Sequence, residues 1–95
     1  MSNQQEMKKV EQFFREDGSL ISIPARQSKK IAVLTRIATA FTYQRKYSEK
    51  EVNEILSRYN DDTAALRRYL IENKFMDRDR DSNYWLLEPI SSVQD

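Results

Sequence analysis

Two adjacent arginines, Arg67 and Arg68, sit in the run Asp62-x-x-x-Leu66-Arg67-Arg68-Tyr69-Leu70 and are the side chains of this chain best fitted to recognition chemistry. A guanidinium presents a planar fork of donors that meets a phosphate, or the O6 and N7 edge of guanine, with two parallel hydrogen bonds. Further cations lie upstream at Lys29, Lys30, Arg45, Lys46 and Lys50, and downstream at Arg78 and Arg80. Residues 26–50 carry seven basic groups against one acidic, whereas residues 51–95 carry six against ten. The formal net charge is only +1. Positive surface is therefore local, which permits contact with nucleic acid without demanding it.

Other chemistries have little to work with. The chain holds no cysteine and no histidine, which removes thiol nucleophiles, imidazole acid–base catalysis and the usual ligands of zinc and the first-row transition metals. The acid groups Asp61-Asp62 and Asp77, Asp79, Asp81 lack the glycine-centred loop of a calcium site. Glu49, Glu51 and Glu54 have helix-capping or surface explanations. A single glycine, Gly18, cannot make a glycine-rich phosphate loop. The expectation is a binding protein rather than an enzyme, with no metal and no cofactor.

The elements that must hold these side chains follow from spacing. Met7, Val10, Phe13 and Phe14 recur at helical intervals, and Asp17-Gly18 supplies a turn. Leu20, Ile21 and Ile23 read as a brief strand ended by Pro24. Ser28 is the expected cap of a second helix with Ile31, Leu34, Ile37 or Ala38, and Phe41 inward; its Lys29 and Lys30 oppose the helix dipole or meet a phosphate there. Ser48-Glu49-Lys50-Glu51 is a capping box with Tyr47 and Val52 placed as a hydrophobic staple, and this third helix should end near Tyr59. Asp62 caps a fourth helix over residues 63–73, which turns Leu66, Tyr69, Leu70 and Asn73 inward, Ala64, Arg68 and Ile71 outward, and Arg67 to the flank. Two β-prone runs, 75–78 and 84–87, flank a turn-rich pentapeptide and read as a hairpin, with Trp85 closing the core beneath it.

Ninety-five residues suffice for one domain, 1–95, with residues 1–6 and 91–95 expected to be frayed. The fold class expected is α+β, mainly α: a winged helix-turn-helix with a small antiparallel sheet. No stretch approaches the roughly twenty apolar residues of a membrane span, so the expectation is a soluble, cytoplasmic protein with no membrane partner.

Asp17-Gly18-x-Leu20-x-x-Ile23-Pro24-Ala25, the run Tyr47 to Leu56, Asp62-x-x-x-Leu66-Arg67-Arg68-Tyr69-Leu70-Ile71 and Met76-x-Arg78 together resemble the bacterial domain-of-unknown-function family numbered 2087, over roughly residues 11–87. The resemblance implies a winged-helix-like domain, found alone or attached to helix-turn-helix regulator domains, and implies no biochemistry. Ser82-Asn83 stands where that family's wing turn tends to carry glycine; Asn83 is the residue expected to take its place, because asparagine tolerates a positive φ.

The functional expectation is a DNA-binding, transcription-regulatory module. The fourth helix enters a major groove, Arg68 reads a base edge with Arg67 held nearby, Lys29, Lys30, Arg45, Lys46 and Lys50 hold phosphates, and Arg78 and Arg80 act from the wing. Because Asp77, Asp79 and Asp81 outnumber the wing arginines, binding by one copy alone should be weak, and a homodimer or a regulator protein partner would restore it. The alternative is a protein-interaction or dimerisation module of the same shape that binds no nucleic acid, using Tyr43, Ile71, Tyr84 or Trp85 as anchors. The bland reading of the two arginines themselves is that Arg67 pairs with Asp62 or with a carboxylate of the third helix and that Arg68 is merely solvated.

Overall fold

The computed structural model describes residues 10–90, so the helix start expected at Met7 and the frayed ends at 1–6 and 91–95 lie outside the described residues. Within them the chain forms α1 (Gln27–Ala38), β1 (Tyr47–Ser48), α2 (Glu49–Leu56), α3 (Thr63–Glu72), β2 (Met76–Arg78) and β3 (Asn83–Leu86). It is a small α+β domain of three helices and one antiparallel three-stranded sheet in the order β1-β3-β2.

Val10 and Glu11 are helical, and their carbonyls accept from the N–H groups of Phe13 and Phe14. The strand expected at Leu20-Ile21-Ile23 does not form. Leu20 makes a single antiparallel bridge to Phe14 around a turn in which Gly18 has φ 91°, and its N–H then bonds the Tyr59 carbonyl at 2.7 Å. The segment is tied to the end of α2 rather than to a sheet.

Helix α1 starts two residues earlier than expected. Arg26, in extended conformation, is its N-cap residue and makes no side-chain cap bond, while Ser28 lies inside the first turn. Val33, Leu34, Ile37 and Ala38 face the core, with Phe41 following just beyond the helix. At α2 the capping box forms: the Ser48 hydroxyl accepts from Glu51 N–H at 3.1 Å and Glu51 Oε1 accepts from Ser48 N–H at 2.9 Å. Tyr47 and Val52 are both buried, as a staple requires.

The sheet adds an element that sequence spacing did not indicate. Tyr47 and Ser48, directly before α2, pair with Tyr84 and Asn83 of β3, so the start of α2 is fixed to the sheet. The Tyr47 ring meets Phe41 edge-on at 5.1 Å, and its hydroxyl accepts from Thr42 N–H.

Asp62 caps α3 by accepting from Ala65 N–H at 3.1 Å. The helix ends in a Schellman arrangement: Lys74, at φ 66°, donates to the Ile71 carbonyl and Phe75 donates to that of Leu70. Lys74 occupies the left-handed position usually given to glycine. This sharp stop returns the chain into β2. The hairpin turn carries its positive φ at Ser82 (63°), not at Asn83, which belongs to β3; a type I turn closed by one left-handed residue is a common three-residue hairpin loop.

A candidate nucleic-acid interface between α3 and the hairpin

Neighbours on α3, Arg67 and Arg68 have different supports. Leu66 and Leu70 anchor the helix in the core, while Tyr69 and Ile71 are half-buried against it, so Ile71 does not stand free on the outer side as its spacing indicated. Arg67 is half-buried, and its Nη1 donates to Asn53 Oδ1 of α2. The partner is neither Asp62, which is committed to the cap, nor a carboxylate of α2. A neutral amide orients the guanidinium without cancelling its charge, so the cation remains available to an anion. Arg68 is exposed and meets Glu72 one turn on at 3.8 Å. Exposed i,i+4 pairs are worth only about 0.3–0.5 kcal/mol, so an incoming acceptor displaces Glu72 at little cost.

A shallow groove of about 260 Å³ runs between α3 and the hairpin, lined by Ala64, Arg67, Arg68, Ile71, Glu72, Arg78 and Tyr84. Three guanidinium groups from two elements thus border one groove that holds one carboxylate. The register explains Arg78: it is the cross-strand partner of Tyr84, so both lean to the helix side of the sheet. The Arg78 Cζ lies 5.8 Å from the Tyr84 ring centroid.

Tyr84 itself is buried and donates its hydroxyl to Glu49 Oε1 at 2.9 Å. Burial, then the Glu49 contact, raises its pKa above the ordinary 10.0. The phenol is therefore neutral under ordinary conditions. Its contribution to stability is complete below pH 10 and is lost as pH rises through the raised value.

Lys30 extends the positive surface. Its Nζ stands 4.4 Å from the Tyr69 ring centroid and the Arg68 Cζ stands 5.2 Å from the same centroid, so the two cations share one ring. The other expected contacts lie elsewhere. Lys29 sits over Phe13, Lys50 is exposed on the first turn of α2, and Arg80 is exposed at the hairpin turn. Arg45 covers Tyr47 and lies 3.7 Å from Glu51. Lys46 lies over Trp85 at 5.3 Å, on the opposite face of the sheet. None of these five lines the groove.

Trp85 does not close the core. Tyr84 and Leu86 are buried and Trp85, between them, is only half-buried on the other side. Strand alternation requires this once Tyr84 and Leu86 turn inward. The missed residues are Asn53, which positions Arg67, and Glu72, which pairs with Arg68. Neither carried a sequence signal beyond the helical offset from Arg68 to Glu72.

The hairpin carboxylates have local work. Asp79 accepts from the N–H groups of Asp81 and Asn83 at 2.9 and 3.0 Å, and the Asn83 bond most of all lowers its pKa from the ordinary 3.8. That contribution to the turn is present above pH 3.8 and is lost as pH falls through the depressed value. Among the described residues, no group of three or more acidic side chains is placed to hold a metal ion, and no helix is long and apolar enough to cross a membrane.

The fold and groove define a small α+β domain with a basic cleft between a helix and a hairpin. The chain belongs to the family described as "Uncharacterized protein conserved in bacteria (DUF2087)", whose model matches residues 19–86 and so includes every groove residue. No curated protein and no solved structure matches the chain.

Proposed function

We propose that this chain is a winged-helix DNA-binding domain that regulates transcription in the bacterial cytoplasm, with α3 as its recognition helix. The order α1, β1, α2, α3, β2, β3, with β3 between β1 and β2, supports the winged-helix reading, because it sets a helix pair beside a hairpin that extends as a wing. The observation that carries the functional reading is the convergence of Arg67 and Arg68 from α3 and Arg78 from β2 on one groove. In this reading Arg68, the most exposed of the α3 cations, reads a base edge in the major groove. Arg67, braced by Asn53, and Arg78 each meet a backbone phosphate, and Lys30 meets a third along the strand.

The wing limits affinity. Asp77, Asp79 and Asp81 stand against Arg80 on the hairpin, so beyond Arg78 little further counterion release comes from there. Titration of a fluorescein-labelled random-sequence duplex by anisotropy at 50 and 200 mM NaCl tests the reading. Three phosphate-facing cations set a slope of about −2.7 in log K against log salt, so affinity is expected to fall about 40-fold between the two conditions. Absence of binding at 50 mM NaCl would refute duplex recognition.

A further inference from the structure

We propose that the outer face of the sheet is a self-association surface, on which a second copy of this chain docks about a twofold axis running along the strands. The face is defined by register. Trp85 pairs with Asp77 of β2, and on its other side Lys46, the residue before β1, places its ammonium 5.3 Å from the indole centroid. A row Lys46, Trp85, Asp77 therefore crosses the sheet, positive at one edge, aromatic in the middle and negative at the other. Tyr43 and Leu87, 41% and 38% exposed, are among the three most exposed large apolar side chains of the described residues. A shallow groove of about 330 Å³ joins Tyr43, Lys46, Trp85 and Leu87.

Charge complementarity selects the occupant. A purely acidic segment would suit Lys46 and meet repulsion at Asp77; a basic one would do the reverse. A nucleic-acid strand would bring its phosphates against Asp77. A second copy turned about an axis parallel to the strands presents the same row in reverse order. Lys46 then faces Asp77 of the other copy, Asp77 faces its Lys46, and the two indoles meet at the centre, which is the self-complementarity an isologous interface needs. The alternative axis, across the strands, would set like charges together. Docking through the free edge of β2 is disfavoured, because the Asp77 Oδ1 already accepts from the Arg78 N–H there at 2.8 Å.

Light scattering on the full chain without DNA, from about 10 to 500 μM, tests this, and its failure leaves the duplex reading intact. The wild-type mass is expected to rise from 11.3 kDa toward twice that value. Trp85, the single tryptophan, should shift its emission to the blue over the same range. Lys46→Asp alone and Asp77→Lys alone should stay monomeric, each placing like charges at both contacts, while an equimolar mixture of the two should regain the dimer. Asp77→Asn, which keeps an oxygen for the Arg78 N–H, should weaken self-association at least fivefold and covers the case in which Asp77→Lys does not fold. The proposal is overturned if the wild type stays monomeric to 500 μM, if Lys46→Asp dimerises as the wild type does, or if two folded single variants fail to associate when mixed.

Discussion

Replacement of Arg67, Arg68 and Arg78 together by alanine is expected to weaken duplex binding at 100 mM NaCl on the order of a hundredfold or more, with the fold retained. Two of the three phosphate-facing cations are removed, so the salt slope should drop from about −2.7 to about −0.9. The third change, at Arg68, removes a base contact worth about 1–3 kcal/mol. The single variants should separate these roles. Arg67→Ala is expected to lower affinity for all duplexes alike, and by more than an unbraced lysine would, because Asn53 has already ordered the guanidinium that the phosphate meets. Arg68→Ala should leave the salt slope nearly unchanged and flatten preference at one base position. Anisotropy titrations of the four variants at two salt concentrations, with circular dichroism melts to check folding, make the comparison. Retention of wild-type affinity and slope by the triple variant would remove α3 as the reading element.

Leu66→Ala is expected to destabilise the domain by about 3 kcal/mol and to lower Tm by roughly 12–24 °C. Leu66 is fully buried on α3, directly before the two arginines. Its loss opens a cavity in a core too small to refill it. Domains of this size hold only about 5–15 kcal/mol of total stability, so the variant should be close to its limit at growth temperatures. The effect on duplex affinity, measured cold where the variant is folded, should be small, because Leu66 faces away from the groove. A thermal melt by circular dichroism gives the first number and a titration at 10 °C the second. The pair separates residues that build the helix from residues that use it.

Local chemistry was legible in the sequence and long-range pairing was not. The capping box at Ser48 and Glu51, the Asp62 cap and the hairpin turn are set by residues within four positions of one another, and all three form where spacing placed them. Strand β1 has two residues and no pattern of its own; it exists because Tyr84, far along the chain, offers a partner. Ser28 looked like a cap by type, but the backbone leaves its extended conformation two residues sooner, after Arg26. Leu20, Ile21 and Ile23 had β propensity and no neighbouring strand, and a single bridge is what remains. Trp85 was misplaced by reading hydrophobicity where parity decides: with Tyr84 and Leu86 inside, the residue between them points out.

The candidate site divides the same way. The convergence of Arg67 and Arg68 follows from their adjacency on a helix whose inward face is plain from its leucines. That Arg78 joins them depends on strand register, and that Lys46 leaves them depends on which side of the sheet its strand exposes. Asn53 could be tied to Arg67 only once α2 and α3 were packed together.

Backbone amide chemical shifts of the labelled protein, followed during addition of duplex DNA at low salt, test the central claim most directly. Binding by the α3 groove predicts saturable shifts concentrated at Ala64, Arg67, Arg68, Ile71 and Arg78, with Asn53 responding through its bond to Arg67 and the amides of Trp85 and Leu87 nearly still. Shifts confined to Lys46, Trp85 and Leu87, or none at all at millimolar duplex, would contradict it.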